Sequence, residues 1–303
     1  MQTAYLTAAL GIAAGLGAVP GLGAQTMDYG IGSWKTEGLG NHRAVVEVAG
    51  PAEAVRVHLP WRRRDPQPER KAVIVCDASG ERVRNAATPT LDREAGEVVF
   101  QPTSGAGMYH VYYLPHATSG LSYSPTVQYL APENTADPAW LARNGLNNGG
   151  GWRELPEARL LRFEACNEFH RFDPMEVIAT ADETAALVAQ HPGRPLLVFP
   201  EDRRLSIRMA DDLPLRWIER GPGGPVRGEA ARNEYSAFQL GLFAAGGAVE
   251  SVRVRFSDLT GPGGAIPAAA LSCLNLSGTD WLGRPMRGSV SVPDGKVQEQ
   301  WCG

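Results

Sequence analysis

Acidic side chains are densest in one short segment of the chain, FEACNEFHRFDPMEV. Two carboxyl groups a few ångströms apart, one protonated and one ionised, can cleave a glycosidic bond by acid–base catalysis. If the segment is extended, Glu164, Glu168 and His170 share one face of it. We favour a solvent-exposed strand edge whose charges pair with Arg162 and Arg171, because carboxylate pairs are common on protein surfaces and no barrel surrounds this segment.

Three adjacent arginines stand between a tryptophan and an aspartate in the stretch VHLPWRRRDP. The letters VRVHL that lead into it alternate apolar and polar residues, as a half-buried strand does. Continuing that alternation puts Trp61 and Arg63 on the buried face, and Arg62 with Arg64 on the other. A guanidinium near a core needs a carboxylate or an aromatic ring. We therefore expect Arg63 to stack on Trp61 or to fork to Asp65, in preference to binding an anion.

Any ligand bound at this run is expected to be a carbohydrate. Sugar rings present C–H faces that stack on tryptophan, and their hydroxyl groups seek polar side chains such as arginine, aspartate and histidine. An acidic or sulfated sugar is the ligand to test against the outward pair. For any single tryptophan, core packing is nevertheless the more common role. The candidate substrate-binding residues are Trp61, Arg62, Arg64, Asp65, His42 and Arg43.

Several classes of chemistry lack their motifs in this sequence. It has no G-x-S-x-G nucleophile elbow, and the turns GPGGPVRG and GPGGAIP lack the Lys-Ser/Thr of a phosphate-binding loop. The cysteines form no CxxC pair and have no histidine at zinc-ligand spacing. We therefore predict no catalytic residue, no metal site and no cofactor in this chain.

The charge balance argues against nucleic acid as a partner. The chain has 29 Lys and Arg against 33 Asp and Glu, a formal net charge of −4. Such a chain has no overall basic field to attract a phosphate backbone.

The first 26 residues form an uncharged run rich in Ala, Leu and Gly that ends in small residues near Ala24. This pattern predicts a secretory signal peptide, with Met27 as an alternative start of the chain. We expect a secreted or periplasmic protein with no membrane contact beyond the signal segment. In an exported protein four cysteines permit three disulfide pairings, between which the sequence does not choose. These cysteines are Cys76, Cys166, Cys273 and Cys302.

Short runs rich in Val, Ile, Tyr and Phe, separated by Gly, Pro, Asp or Asn, predict a mainly β fold. We expect two antiparallel β-sandwich domains, at residues 27–130 and 158–303, with the second incomplete at its C-terminus. Residues 131–157 are predicted to be a linker or long loop, with a short helix at DPAWLARN. A capping box at Thr180 and Glu183 predicts one short inserted helix over ETAALVAQ. DASGERV and DREAGEVV are the predicted hairpin tips, with a glycine that tolerates positive φ.

Four stretches carry a resemblance to a known family: NHRAVVEV, LPWRRRDPQPE, FDPMEVIAT and, above all, ARNEYSAFQLGLFAA followed by VESVRVRFSDL. With them the chain resembles the N-terminal region of secreted proteins related to glycoside hydrolase family 123, over most of Tyr29 to Gly303. The resemblance implies a following (β/α)₈ barrel that holds the catalytic Asp-Glu pair. It also implies a retaining mechanism in which the substrate's own acetamido group attacks the anomeric carbon. Because no strand–helix alternation of a barrel occurs here, no catalytic residue is carried over.

These observations favour a non-catalytic N-terminal portion of an exported glycoside hydrolase, one that supports carbohydrate binding beside a downstream catalytic domain. Its partners would be a polysaccharide or glycan and that domain of the same polypeptide. The alternatives are a free-standing carbohydrate-binding module, a structural surface domain, and an active site within FEACNEFHRFDPME. A structural domain predicts that Trp61 and the arginines are buried or paired, whereas an active site predicts hydrolysis of aryl glycosides by the isolated chain.

Overall fold

A computed structural model of the chain describes residues 5–7, 27–121, 123–147, 150–231, 234–261 and 263–303. The fold is mainly β, with 36% of residues in strands and 13% in helices, and most strand pairs are antiparallel. The predicted fold class is therefore confirmed. The predicted signal peptide lies outside the described residues, except for residues 5–7.

The described residues form two compact units. The N-terminal unit ends at Phe172, and the C-terminal unit runs from Asp173 to Gly303. This boundary lies later than the start of the predicted second domain at residue 158. The difference arises because the strand Arg159–Ala165 pairs antiparallel with the strand His42–Val48, which places it in the first sheet.

The N-terminal unit is built from two sheets and a hairpin. The strands that precede Asp173 in the chain are β1 (Tyr5–Thr7), β2 (Tyr29–Ile31), β3 (His42–Val48), β4 (Val55–Leu59), β5 (Ile74–Asp77), β6 (Ala86–Leu91), β7 (Gly96–Phe100), β8 (Gly107–Tyr112), β9 (His116–Leu121), β10 (Ser124–Tyr129) and β11 (Arg159–Ala165). One sheet has the order β2-β11-β3-β8-β5 and the other β4-β7-β6, while β9 and β10 pair with each other. Strand β1 belongs to the C-terminal unit.

A single core fills the space between the two sheets of the N-terminal unit. Alternate residues of β3 and β8 meet alternate residues of β4 and β7 in one apolar cluster, as expected for a β-sandwich. The cluster includes Val46, Val57, Leu59, Trp61, Val98, Phe100, Tyr109, Val111 and Phe163.

The predicted linker covers the outer face of the smaller sheet. It contains helix α1 (Pro138–Arg143), at the position predicted for a short helix, with Asp137 as its N-cap. A 3₁₀ turn at Gly151–Glu154 follows. Trp140 and Trp152 pack there against Val99 of β7. The segment, which was expected to be a linker or long loop, therefore buries apolar surface as part of the N-terminal unit.

Both predicted hairpin tips are turns, but the two glycines act differently. Gly80 has φ of +90°, as expected for a turn glycine. Gly96 has no positive φ; instead, a Cβ atom placed on it would lie 2.2 Å from the Trp61 ring. Gly96 is therefore required because the indole of Trp61 lies directly on the backbone of β7.

The C-terminal unit places helices and a second sheet on opposite faces of a central sheet. Its strands are β12 (Leu196–Asp202), β13 (Phe238–Ala244), β14 (Val249–Arg255), β15 (Leu259–Gly261), β16 (Gly264–Ile266), β17 (Val290–Val292) and β18 (Val297–Cys302). The central sheet has the order β12-β13-β18, a second sheet has β1-β14-β17, and β15 pairs with β16. Helices α2 (Ala181–Ala189) and α3 (Leu215–Arg220) share one apolar cluster with the central sheet, while β14 and β17 share another.

The helix predicted from the capping box is confirmed. The Thr180 hydroxyl accepts from the Glu183 backbone N–H at 3.1 Å, and the Glu183 carboxylate accepts from the Thr180 N–H at 2.8 Å. Helix α3 was not predicted. Its six residues are too few for an apolar period, and Trp217 holds it by burying its ring against Gly241 of β13.

Replacing Gly96 with Ala is expected to destabilise the protein by about 1–3 kcal/mol, because the new methyl group overpacks the Trp61 ring. Gly50→Ala is the matched control, since a Cβ there meets no atom within 4 Å. Urea unfolding followed by circular dichroism measures both variants. Equal midpoints for the two would contradict the proposed contact.

Candidate functional site

Trp61 is a packing residue of the sandwich. Its side chain belongs to the core between the sheets, and the residue is 4% exposed. The indole Nε1–H donates to the Asp92 carbonyl oxygen at 2.9 Å, and the ring lies 5.5 Å from that of Tyr113. The indole is thus enclosed on its apolar faces and satisfied at its polar edge.

Arg63 points into the same core, as the strand alternation predicts. It donates to Asp65 Oδ2 at 2.6 Å, and its guanidinium lies over the rings of Trp61 and Tyr113 at 5.2 and 5.6 Å. Burial lowers the pKa of Arg63, and the charge of Asp65 acts against that shift. Lys71 Nζ donates to the other carboxylate oxygen of Asp65. The expected packing role of Arg63 is confirmed, and Asp65 serves as its counter-ion.

Arg62 and Arg64 lie further outward than Arg63. Arg64 is exposed, whereas Arg62 is half-buried and has φ of +47°. This left-handed conformation ends the extended run, and the Arg62 N–H donates to the Glu94 carbonyl at 2.9 Å. The prediction that Arg63 is buried and that Arg62 and Arg64 are more exposed is therefore confirmed. Ligand binding by Arg62 and Arg64 stays a prediction.

His42 and Arg43 are neighbours on β3 and consequently face opposite sides of the sheet. His42 Nε2 bonds the His170 carbonyl at 2.9 Å, and its ring lies 4.8 Å from that of Phe172, on the core side. Arg43 lies on the outer side, over the Trp34 ring at 4.5 Å. The candidate substrate-binding residues therefore do not share one surface, because Arg43 is separated from Trp61 by the sheet.

Glu164 is the counter-ion of Arg43. Arg43 donates to Glu164 Oε2 through Nε at 2.9 Å and Nη2 at 2.7 Å, and Arg162 Nε donates to Oε1 at 2.8 Å. Burial acts to raise the pKa of Glu164, but the bonds from the two arginines outweigh it and the pKa lies below its usual range. An ionised carboxylate held by two arginines does not act as a general acid at neutral pH.

The other acidic residues of that segment are distributed as the surface interpretation predicts. Glu168 is 73% exposed and pairs with Arg171 at 3.2 Å. The predicted partners of Glu164 and Glu168 are both confirmed. The expected solvent-exposed strand edge is wrong for Glu164, because β11 lies between β2 and β3 and the Glu164 side chain is only 4% exposed.

A third buried carboxylate, missed by the sequence analysis, lies in the C-terminal unit. Glu201 at the end of β12 accepts from Trp217 Nε1 at 3.1 Å, from Arg216 Nε at 3.2 Å and from Arg220 Nη1 at 3.3 Å. The two arginines are four residues apart on α3 and so share a helix face. That spacing in LRWIER was the signal available in the sequence.

The Glu201 cluster borders a cleft of about 450 Å³, which is also lined by the loop residues 222–227. Burial acts to raise the pKa of Glu201, but bonds from Arg216, the Asp202 N–H and Trp217 outweigh it and hold the pKa below its usual range. Glu201 is therefore an anion that orients the two arginines.

The described part of the chain contains no group of three or more His, Cys, Asp or Glu side chains placed to hold a metal ion. Among the same residues, no helix has the length and apolar character that a membrane span requires.

Comparison with known proteins gives one family match. Residues 32–166 match the family model described as Glycoside hydrolase 123, N-terminal domain. No curated protein and no solved structure gives a significant match to the chain. The predicted resemblance is therefore confirmed for residues 32–166, a segment that ends one residue after β11.

The match includes NHRAVVEV and LPWRRRDPQPE. The other stretches that suggested the resemblance lie outside it: FDPMEVIAT, ARNEYSAFQLGLFAA and VESVRVRFSDL. Residues 32–166 are thus similar to the N-terminal domain of these glycoside hydrolases, and they contain the strands β3 to β11 of the N-terminal unit.

Replacing Glu164 with Gln is expected to cost about 3 kcal/mol of stability, since it leaves the largely buried Arg43 without its counter-ion. Glu168→Gln, four residues away, removes the same charge from an exposed pair and is expected to change stability by less than about 0.5 kcal/mol. Chemical denaturation at neutral pH compares them. A Glu164→Gln variant as stable as the control would show that the pair contributes nothing.

Proposed function

We propose that this chain is a non-catalytic N-terminal portion of an exported glycoside hydrolase, which supports carbohydrate binding beside a catalytic barrel carried elsewhere in the polypeptide. The observation that carries the proposal is the family match over residues 32–166. The matched segment contains most strands of the β-sandwich, whose two sheets share one core.

The distribution of charge in the N-terminal unit supports an accessory role. Glu164 and Asp65, its most buried paired carboxylates, are each held by two cations and kept ionised, so they stabilise the fold. Hydrolysis with acid–base catalysis needs one carboxyl group that is protonated near neutral pH. Neither of these two has that property.

Contact with a saccharide is assigned to the outward side of the arginine run. Arg64 is exposed, and Arg62 is half-buried beside it in the chain. Trp61 fixes the start of this run, because its side chain is buried in the core and its indole N–H donates to the Asp92 carbonyl oxygen. In this proposal Trp61 and Asp65 position the arginines, and Arg62 and Arg64 meet the sugar.

A free-standing carbohydrate-binding protein is the second candidate. Exposed aromatic rings favour it, because such rings can stack on sugar faces: Phe169 is 90% exposed and Trp281 is 88% exposed. This candidate predicts glycan binding without any catalytic domain in the gene product.

Glycan-array binding and hydrolysis of aryl N-acetyl-hexosaminides, measured on the purified chain, test the proposal. We expect glycan binding without hydrolysis. An Arg62→Gln/Arg64→Gln variant is expected to bind about tenfold more weakly, because charged hydrogen bonds to the sugar are lost. Arg82→Gln/Arg84→Gln, which removes two exposed arginines of the same unit, should bind as the unchanged chain does.

Hydrolysis by the purified chain would contradict the non-catalytic role. Absence of glycan binding, with an unchanged circular dichroism spectrum, would contradict the carbohydrate role. If the gene product has no barrel and glycans bind, the second candidate function replaces the first.

A further inference from the structure

One cleft of the C-terminal unit has no part in the function proposed above. It lies between the end of β12, helix α3 and the loop 222–227, and has a volume of about 450 Å³. Clefts of about 300–1,000 Å³ are the usual size for small-molecule sites. Three arginines line it: Arg216, Arg220 and Arg227.

Glu201 does not use up the hydrogen-bonding capacity of these arginines. Its carboxylate also accepts from Trp217 and from the Asp202 N–H, each at 3.1 Å, so five donors compete for about four lone-pair sites. The arginine bonds to it are correspondingly long, at 3.2–3.4 Å. A close charge-assisted pair is nearer 2.7–2.9 Å, the distances at which Arg43 holds Glu164.

The outer sides of the guanidinium groups remain accessible. The side chains of Arg216 and Arg220 are 38% and 35% exposed, while Glu201 beneath them is 1% exposed. Arg227 is exposed and makes no hydrogen bond or ion pair with the described residues. The cleft therefore offers three guanidinium groups at its surface, with Glu201 buried beneath two of them. Its other carboxylate, Asp202, is paired with Arg204 at 2.9 Å. Arg220 Nη2 also donates to the Pro200 carbonyl oxygen.

We propose that this cleft binds the oxyanion of an acidic saccharide, a carboxylate or a sulfate ester, through Arg216, Arg220 and Arg227. Planar guanidinium groups suit such anions because they donate two parallel hydrogen bonds. The saccharide nature of the ligand rests on the proposed function, whereas the oxyanion rests on the cleft alone.

Isothermal titration calorimetry at low salt tests the cleft with three free probes: glucuronic acid, N-acetylgalactosamine 4-sulfate and neutral N-acetylgalactosamine. We expect the charged probes to bind more tightly than the neutral one, and the preferred charged probe identifies carboxylate or sulfate. Arg220→Gln and Arg227→Gln should each weaken that binding about tenfold. Arg208→Gln, which removes a surface arginine paired with Asp173 and Glu176, is the matched control.

Because Arg227 has no partner among the described residues, its variant tests the cleft even if Arg220→Gln disturbs Glu201. The proposed oxyanion site would be contradicted if the charged and neutral probes bound equally well. It would also be contradicted if Arg208→Gln weakened binding as much as Arg220→Gln and Arg227→Gln do. Neutral glycans captured on an array without any binding of the charged probes would leave the proposed function standing. If the charged probes bind but the array captures no glycan, the cleft proposal stands and the proposed carbohydrate function fails.

A second inference concerns Cys273 and Cys302, and rests on backbone register. Ser272 and Gly303 exchange both of their N–H to carbonyl bonds, at 2.8 and 3.0 Å. The adjacent antiparallel pair, Cys273 with Cys302, is therefore a non-hydrogen-bonded pair. The Cα atoms of such a pair are about 4.5 Å apart, within the range that a disulfide spans.

Both side chains belong to the same apolar cluster. Both are free thiols in the structure. Cys76 and Cys166 lie in the N-terminal unit and contact different residues there. The register therefore supports a single bridge, between Cys273 and Cys302.

The geometry points to a Cys273–Cys302 disulfide that forms as the C-terminal unit folds under oxidising conditions. A disulfide oxidant such as glutathione disulfide takes up the two protons and two electrons of the thiols. Its own S–S bond breaks to give two thiols, and one new S–S bond forms in the protein.

Refolding the chain in a reduced and oxidised glutathione buffer, followed by non-reducing peptide mapping, tests this inference. We expect one cross-linked peptide pair containing Cys273 and Cys302, with a mass lower by two hydrogen atoms than that of the reduced pair. A reductant should lower Tm by several degrees. That effect should vanish in Cys273→Ala or Cys302→Ala and persist in Cys76→Ala. Four free thiols, or any other linkage, would overturn the inference.

Discussion

The structure depends on a repeated solution to one electrostatic problem, the burial of carboxylates in an apolar fold. Asp65, Glu164 and Glu201 are each almost fully buried, and each is held between two cations. A single buried charge would be costly, and a pair reduces that cost only with good geometry. With two cations for each carboxylate, every cluster has a net positive charge. The more exposed of the two cations can be solvated by water or can bind an anionic ligand.

This arrangement separates the positions that hold the fold from those that can meet a ligand. In the Glu164 cluster Arg43 is the inner cation, and Arg162 the outer one, as their side-chain exposures of 12% and 39% show. Glu201 differs because both of its arginines are partly exposed and bond the carboxylate at 3.2–3.4 Å. The acidic residues therefore act mainly by setting where guanidinium groups stand, and carbohydrate recognition by either unit would depend on that placement.

The features that could be predicted from the sequence are those that depend on residues close together in the chain. The capping box joins Thr180 to Glu183, three positions along the chain. The buried position of Arg63 is the one that alternation continued from β4 predicts, although that strand ends at Leu59. The pairing of Arg43 with Glu164 could not be predicted, because 121 residues separate them and only the register of β11 on β3 brings them together. The same register explains why the N-terminal unit extends to Phe172, past the predicted domain end. The need for Gly96 was equally hidden, since its cause is the ring of Trp61, which follows the end of β4.

Each unit seats one tryptophan ring on a strand glycine, Trp61 on Gly96 and Trp217 on Gly241. Trp217 also stacks on Phe199 with ring centroids 4.6 Å apart. These two buried indoles have different polar neighbours, a backbone carbonyl for one and the Glu201 carboxylate for the other. Each of these two indoles is one of the seven tryptophans of the chain. The difference in emission between the unchanged chain and its Trp61→Phe or Trp217→Phe variant therefore reports on the surroundings of that one indole, and so on the loosening of its unit.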